Sequence, residues 1–187
     1  LADDAPLMPV TLYGVTKQAN EGWASIYWQD YQLPSVGLRP AFVYGPGRDQ
    51  GVSSTPTKAM AAAAVGRPYH ISFGGFDTYQ HADDVAAAFI KAARTMPQGA
   101  PTYTLGGTEG STQEIISAIS KVVPASAGKI TTATDPLFTP DAYEGKAVET
   151  LLGPLNWRPL ERGVRDTIDV LQAAFKDGRL DADRAVN

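Results

Sequence analysis

The sequence contains no cysteine, which excludes disulfides, thiolate metal sites and a cysteine nucleophile. It contains two histidines, His70 and His81, on apparent strands and without metal-ligand spacing to a carboxylate pair. Both read as core or half-buried side chains, and no metal site is expected. No apolar run approaches the ~18 residues that a membrane-spanning helix needs; the longest Ala-rich stretch, Ala59 to Val65, is far shorter. Basic residues are not in excess: 16 Lys and Arg face 20 Asp and Glu, for a net charge of −4. That balance argues against a nucleic-acid surface or an anionic membrane surface as partner. No G-x-S-x-G nucleophile motif and no G-x-G-x-x-G fingerprint occurs. Gly106-Gly107-Thr108-Glu109-Gly110 reads as an ordinary strand-to-helix turn, with Glu109 badly placed beside an anion. The chain begins at Leu1, without an initiator Met or a signal-peptide pattern. A reducing, cytoplasmic compartment is the expectation.

What is present suffices for a packed domain: 187 residues, 43% apolar and 19% charged. Short β-rich runs alternate with helical ones, the pattern of an α/β chain. Thr11 to Tyr31 reads as a helix closed by Pro34. Ser35 to Tyr44 reads as a strand with Pro40 marking an edge or an end, followed by the turn Gly45-Pro46-Gly47. Pro56 opens a helix that stops at Gly66, and Tyr69 to Phe73 is a short strand. Asp83 and Asp84 start a helix running through Ala93, where their charge suits the positive end of the helix dipole. Thr102 to Leu105 and Lys129 to Thr132 are further strands. Ser111-Thr112-Gln113-Glu114 is a capping box, Thr139-Pro140 begins a short helix, and Glu161 to Lys176 is a final amphipathic one.

The sharpest chemical signal is Tyr13-Gly14-Val15-Thr16-Lys17 at a helix start. A spacing of four puts the phenol and the ammonium on one face, one turn apart. A cation there favours the phenolate, which makes the tyrosine a usable general acid or base. An ordinary exposed i,i+4 pair is the bland alternative. The aromatics Trp23, Tyr27, Trp28 and Tyr31 on the same helix read first as core packing.

Four blocks recur in an ordered spacing: Pro9 to Glu21, Gly37 to Gly47, Tyr79 to Ala86, and Trp157 to Gly163. In that order they resemble the extended short-chain dehydrogenase/reductases, the NAD-dependent epimerase/dehydratase family. The resemblance spans nearly the whole chain but only the C-terminal part of the family pattern. It implies the C-terminal part of a Rossmann-type doubly wound sheet plus the small α/β substrate-binding lobe. It implies Tyr13 as acid/base and Lys17 as its partner, which also hydrogen-bonds the ribose of NAD or NADP. Pro40, Ala41, Phe42 and Val43 would line the nicotinamide pocket, mainly through backbone groups. Tyr44 turns the chain toward a sugar-like substrate, and Asp83 and Asp84 have a structural role. The resemblance also implies a homodimer through the helix carrying Tyr13 and Lys17.

Two departures bear on the substrate. Phe42 stands where nucleotide-sugar enzymes of this family often have Asn, and Phe76-Asp77-Thr78 supplies no cation where they often have Arg-Asp. Asp77 repels a phosphate where an Arg would grip it; Arg48 or Arg67 is the alternative source of charge. A nucleotide-sugar epimerase, dehydratase or dehydrogenase is therefore the first reading. A dehydrogenase of a small sugar acid or hydroxy acid is the second, and a non-catalytic binding relative the third. The dinucleotide fingerprint and a Ser/Thr partner of the tyrosine would both lie upstream of Tyr13 in the family. These 187 residues are expected to be the C-terminal portion, without most of the cofactor site.

Overall fold

The computed structural model describes residues 3–137 and 143–183. The short helix expected at Thr139-Pro140 lies outside the described residues. The first helix, α1 (Leu12–Tyr31), forms where expected. Thr11 caps it, its hydroxyl accepting the Gly14 N–H at 3.0 Å. At the other end Gln32 takes a left-handed conformation (φ 53°), and its side-chain amide donates to the Trp28 carbonyl at 2.9 Å. No residue of α1 is buried.

The run Ser35 to Tyr44 is not one strand but two, β1 (Gly37–Arg39) and β2 (Phe42–Tyr44). Pro40 offers no N–H to a ladder, and the chain changes sheets there. Later in the chain come α2 (Thr55–Ala64), preceded by a 3-10 turn at Val52–Ser54, then β3 (Tyr69–Ile71) and β4 (Phe76–His81). Next are α3 (Ala82–Ala93), β5 (Thr102–Thr104), β6 (Thr108–Ser111) and α4 (Thr112–Val122). The last are β7 (Ile130–Thr132), α5 (Ala147–Leu152) and α6 (Leu160–Lys176). The strands β1 and β5 pair in parallel, Gly37 against Thr102 and Arg39 against Thr104. The strands β2 and β4 also pair in parallel, Phe42 against Tyr79, while β4 and β6 are antiparallel. A third parallel pair joins β3 to β7.

The β6 strand corrects the expectation of a plain turn at 106–110. Its sequence, Thr-Glu-Gly-Ser, carries no apolar alternation, so pairing with β4 rather than local pattern makes it a strand. Gly107 enters it so close to β4 that a Cβ there would lie 2.8 Å from the Tyr79 carbonyl oxygen. The capping box at Ser111 and Glu114 is complete, with the Ser111 hydroxyl accepting the Glu114 N–H at 3.1 Å. The Glu114 carboxylate in turn accepts the Ser111 N–H at 2.6 Å and the Ser111 hydroxyl at 2.9 Å, and these bonds hold it below its ordinary range.

Two cores hold the fold. The larger gathers Phe42, Phe73 and Tyr79 with Met60, Ile71 and the isoleucines of α4. Phe42 packs 5.5 Å from Phe73 and 6.0 Å from Tyr79, centroid to centroid. The small side chains of α2 let α4, α6 and β3 close around it, and Ala59, Met60 and Ala62 are wholly buried. From α6 come Leu160, Gly163, Val164, Thr167 and Ile168, one stripe at helical spacing. Each fully buried Val or Ile there is worth about 1.5–3 kcal/mol against exposure. The smaller core, Val85, Ala88, Leu105 and Val148, ties α3 and α5 to β5. The result is an α/β, partial Rossmann-type fold.

Candidate active site

Tyr13 and Lys17 lie on the first turns of α1, as their spacing requires. The Lys17 Nζ stands 5.1 Å from the centroid of the Tyr13 ring, over its face. Tyr13 is 71% exposed, so its phenol is open to a bound molecule. Lys17 borders a hollow of about 290 Å³ whose other walls include Met8, Pro9, Gly14, Glu21 and Arg39. Residue 14 must be small for this: a Cβ on Gly14 would meet the Pro9 Cβ at 3.0 Å and the Thr11 hydroxyl at 3.3 Å. The segment before the helix can therefore fold back beside Tyr13 and Lys17.

The residues of the 40–44 segment divide by face. Pro40 is exposed, and Ala41 donates its N–H to the Gln80 side-chain oxygen at 2.9 Å. The Phe42 ring belongs to the larger core, which leaves backbone as what this residue offers a ligand, while Val43 is half-buried. The Tyr44 ring is also turned inward, 1% exposed, edge-on to His81 at 5.4 Å and to Tyr79 at 6.4 Å. Burial holds its phenol well above the ordinary tyrosine range. Asp77 is buried on β4, where one carboxylate oxygen accepts the Thr78 N–H at 2.8 Å. Of the candidate cations, Arg48 is half-buried and donates to the Ser53 hydroxyl at 2.9 Å. Arg67 is exposed and pairs with Asp183 at 3.0 Å. Arg48 borders a different hollow from the one that Lys17 borders, and the Tyr44 and Asp77 side chains are buried.

Two polar clusters tie distant parts of the chain together, the first of them beside Lys17. In the first, Arg39 on β1 grips both oxygens of Glu21 on α1, Nε at 2.8 Å and Nη2 at 2.7 Å. The Arg39 Nη1 also donates to the Asp3 carbonyl at 3.0 Å. The hydrogen bond to Glu21 raises the guanidinium above its ordinary value, partly offset by burial. The sequence signal was Glu21, one helical turn past Lys17. In the second cluster, Arg158 reaches Asp84 at 3.2 Å and Asp166 at 3.1 Å, and its backbone N–H donates to Asp84 at 2.8 Å. Asp84 thus anchors the Trp157-Arg158-Pro159 segment to the start of α3, and its role is structural. His81 is buried beside this cluster and caps α3, its Nδ1 accepting the Asp83 N–H at 3.3 Å. His70, by contrast, is exposed and bonded to Thr131 at 2.8 Å, which corrects the expectation of a core or half-buried side chain. It sits on a three-residue strand with an open outer face. The α1 aromatics are not core either: Trp23, Tyr27 and Tyr31 are exposed, and Trp28 is half-buried.

The sequence is 30% identical over 179 residues to UDP-glucose 4-epimerase of Mycolicibacterium smegmatis, across 90% of this chain and 55% of that protein. The structure superposes on dTDP-glucose 4,6-dehydratase from Bacillus anthracis in complex with NAD with a TM-score of 0.78. That match is 20% identical and covers 94% of this chain and 57% of the other. A partial consensus L-threonine 3-dehydrogenase gives a TM-score of 0.77 at 19% identity, over 92% of this chain and 62% of the other. The chain thus spans little more than half the length of these proteins. The sequence model of the NAD dependent epimerase/dehydratase family matches residues 1–106, which include both Tyr13 and Lys17. The chain belongs to the NAD dependent epimerase/dehydratase family.

Proposed function

We propose that this chain carries the proton-transfer pair and substrate lobe of an NAD-dependent enzyme acting on a hydroxyl of a sugar or nucleotide-sugar. The observation that carries this reading is the pairing of Tyr13 and Lys17 on an exposed helix face beside a hollow. Both side chains fit the nicotinamide end of NAD: the phenol is open, and among the described residues Lys17 has no ion pair. The glycine-rich turn that cradles a pyrophosphate does not occur in this sequence, so no residue here is assigned to that part of NAD. Bound NAD supplies a hydride acceptor. The Tyr13 oxygen takes the proton from the substrate hydroxyl as the hydride leaves the same carbon, and returns it in the reverse step. The Lys17 ammonium, which lies over the Tyr13 ring, would hold the ribose hydroxyls. Backbone groups of 40–43 would line the nicotinamide pocket, with Ala41 fixed by Gln80. The exposed Trp23, Tyr27 and Tyr31 strip supports pairing of two copies through α1.

In the full-length enzyme Tyr13→Phe should lower kcat by about 10²–10⁴-fold while leaving NAD affinity little changed. Retained turnover refutes the assignment. A second reading, a dehydrogenase of a small sugar acid or hydroxy acid, is favoured by Phe42, whose ring is committed to the core where an amide would hold a sugar. Calorimetry against several nucleotide-diphosphate sugars separates the two, since tight binding of these removes the second.

A further inference from the structure

Lys17 and Glu21 stand one turn apart on α1, a spacing at which lysine and glutamate side chains meet. They are not paired. Both Glu21 oxygens are held by the Arg39 fork at 2.8 and 2.7 Å, and the remaining Arg39 nitrogen holds the Asp3 carbonyl. The pair is largely shielded, with side-chain exposures of 23% and 26%, so its geometry is firmer than that of a surface bridge. Lys17 instead lies over Tyr13, and Lys17, Glu21 and Arg39 border the same hollow. The charged groups that line this hollow are Lys17 and Glu21 from α1 and Arg39 from β1; the Tyr13 ring lies under Lys17, and Asp3, before the helix, meets Arg39 through its carbonyl. Were Glu21 released, its carboxylate would be the nearest anion to Lys17. It would draw the Nζ along the helix, away from Tyr13.

We propose that Arg39 is a positioning residue for the Tyr13–Lys17 pair: by holding both Glu21 oxygens it keeps the Lys17 ammonium directed at the cofactor side of Tyr13. This rests on the reading of Lys17 as a ribose ligand. The arrangement solves a local conflict. An acidic residue on α1 is needed to tie the helix to β1, yet at that spacing it competes for the functional lysine. Arg39 supplies the tie and removes the competitor with one planar group, which a lysine there does only in part.

The test is NAD affinity by calorimetry, with kcat alongside, in the full-length protein and its Lys17→Met, Arg39→Gln, Glu21→Gln and Arg39→Gln/Glu21→Gln variants. Arg39→Gln should weaken NAD binding roughly tenfold, the scale of one charge-assisted hydrogen bond. The double variant should recover most of that affinity, because no carboxylate is left to capture Lys17, although the bridge is still absent. In the Lys17→Met background, Arg39→Gln should have no further effect on NAD. A double variant as impaired as Arg39→Gln would make Arg39 a brace only and overturn the proposal. If Lys17→Met leaves NAD affinity unchanged, the ribose reading fails and takes the proposal with it. If Lys17→Met weakens binding and Arg39→Gln does not, the proposal alone fails. Should Arg39→Gln not fold, Arg39→Lys, which cannot occupy both Glu21 oxygens at once, should show the same loss in smaller degree and the same rescue by Glu21→Gln.

Discussion

Gln80 is 1% exposed at the point where the chain changes sheets, and its replacement by Met should be costly despite the similar size. Pro40 ends β1, so Ala41 enters β2 with an N–H that no neighbouring strand accepts. The Gln80 oxygen accepts it at 2.9 Å, and the Gln80 amide donates to the Leu105 carbonyl at 3.0 Å and to the Gly106 carbonyl. One side chain thus replaces a missing stretch of ladder between the β1–β5 pair and the β2–β4–β6 sheet. Gln80→Met removes all three bonds. Leu105 is wholly buried, so its carbonyl loses its partner without access to water, while Ala41 and Gly106 are half-buried and regain part of theirs. One fully stranded group costs about 1–3 kcal/mol and the others less, for a total of roughly 2–4 kcal/mol. Urea unfolding should show the loss as a lower midpoint with an unchanged slope. Hydrogen exchange should show a less protected Ala41 amide. Gln80→Glu should cost at least as much, because an ionised carboxylate can hold Ala41 but faces two carbonyls with no proton to give. A Met variant within about 0.5 kcal/mol of the parent, the range of an ordinary surface change, with Ala41 still protected, would refute the reasoning.

Gly163 on α6 faces the buried Tyr44 ring so closely that a Cβ would lie 2.8 Å from its Cζ and closer still to its hydroxyl. Gly163→Ala gains about 1 kcal/mol of helix propensity. Overpacking against a ring that cannot retreat costs about 1–3 kcal/mol or more. The melting temperature should fall, and Tyr44→Phe should restore most of it by removing a buried hydroxyl that has no partner among the described residues; a stabilising Gly163→Ala would contradict this packing. A third expectation concerns pH. Burial, and next Arg158, hold His81 below its ordinary 6.5 against the opposing pull of Asp83, Asp84 and Asp166. The unfolded chain therefore takes up this proton first. His81 lowers stability as pH falls through about 6.5 toward its folded value, and has no such effect above. His81→Gln should flatten that part of the pH–stability curve; parallel curves for parent and variant would show that His81 does not control it.

Most helices could be read from the chain because their signals are local. Thr11 before α1, the Ser111–Glu114 box before α4 and the apolar stripe of α6 each act within one or two turns. What escaped reading depends on partners far along the sequence. The break at Pro40 was visible, but not that β1 would pair with β5 while β2 pairs with β4. The β6 strand is a polar tetrapeptide whose only reason to be extended is β4. The short α5 has six residues and a single buried side chain, Val148, so it lacks a full apolar stripe. The same division holds for the site. The Tyr13–Lys17 pair lies within one turn and was legible, whereas the Arg39–Glu21 fork spans 18 residues and required the fold. From the sequence, Tyr44 and Asp77 are expected on the substrate side. Which face of a strand a side chain takes depends on register, and register places both of these in the interior.

The distribution of burial sets how the candidate site is held. The helix that bears Tyr13 and Lys17 contributes no buried residue, while both cores lie in other elements. Apolar packing within the described residues therefore does little to fix the orientation of the helix, and a few polar ties take that part. The Thr11 cap fixes where the first turn starts and so where Tyr13 points. The Arg39 fork fixes the next two turns against β1, and Asp3 links the preceding segment to both Arg39 and the Thr104 N–H of β5. Ties of this kind are directional, and each is worth only about 1–3 kcal/mol. Losing one should therefore displace the Tyr13–Lys17 pair well before it unfolds the lobe. Variants at Thr11 or Arg39 should accordingly change ligand affinity more than they change the unfolding midpoint, whereas variants at Met60 or Ile168 should do the reverse.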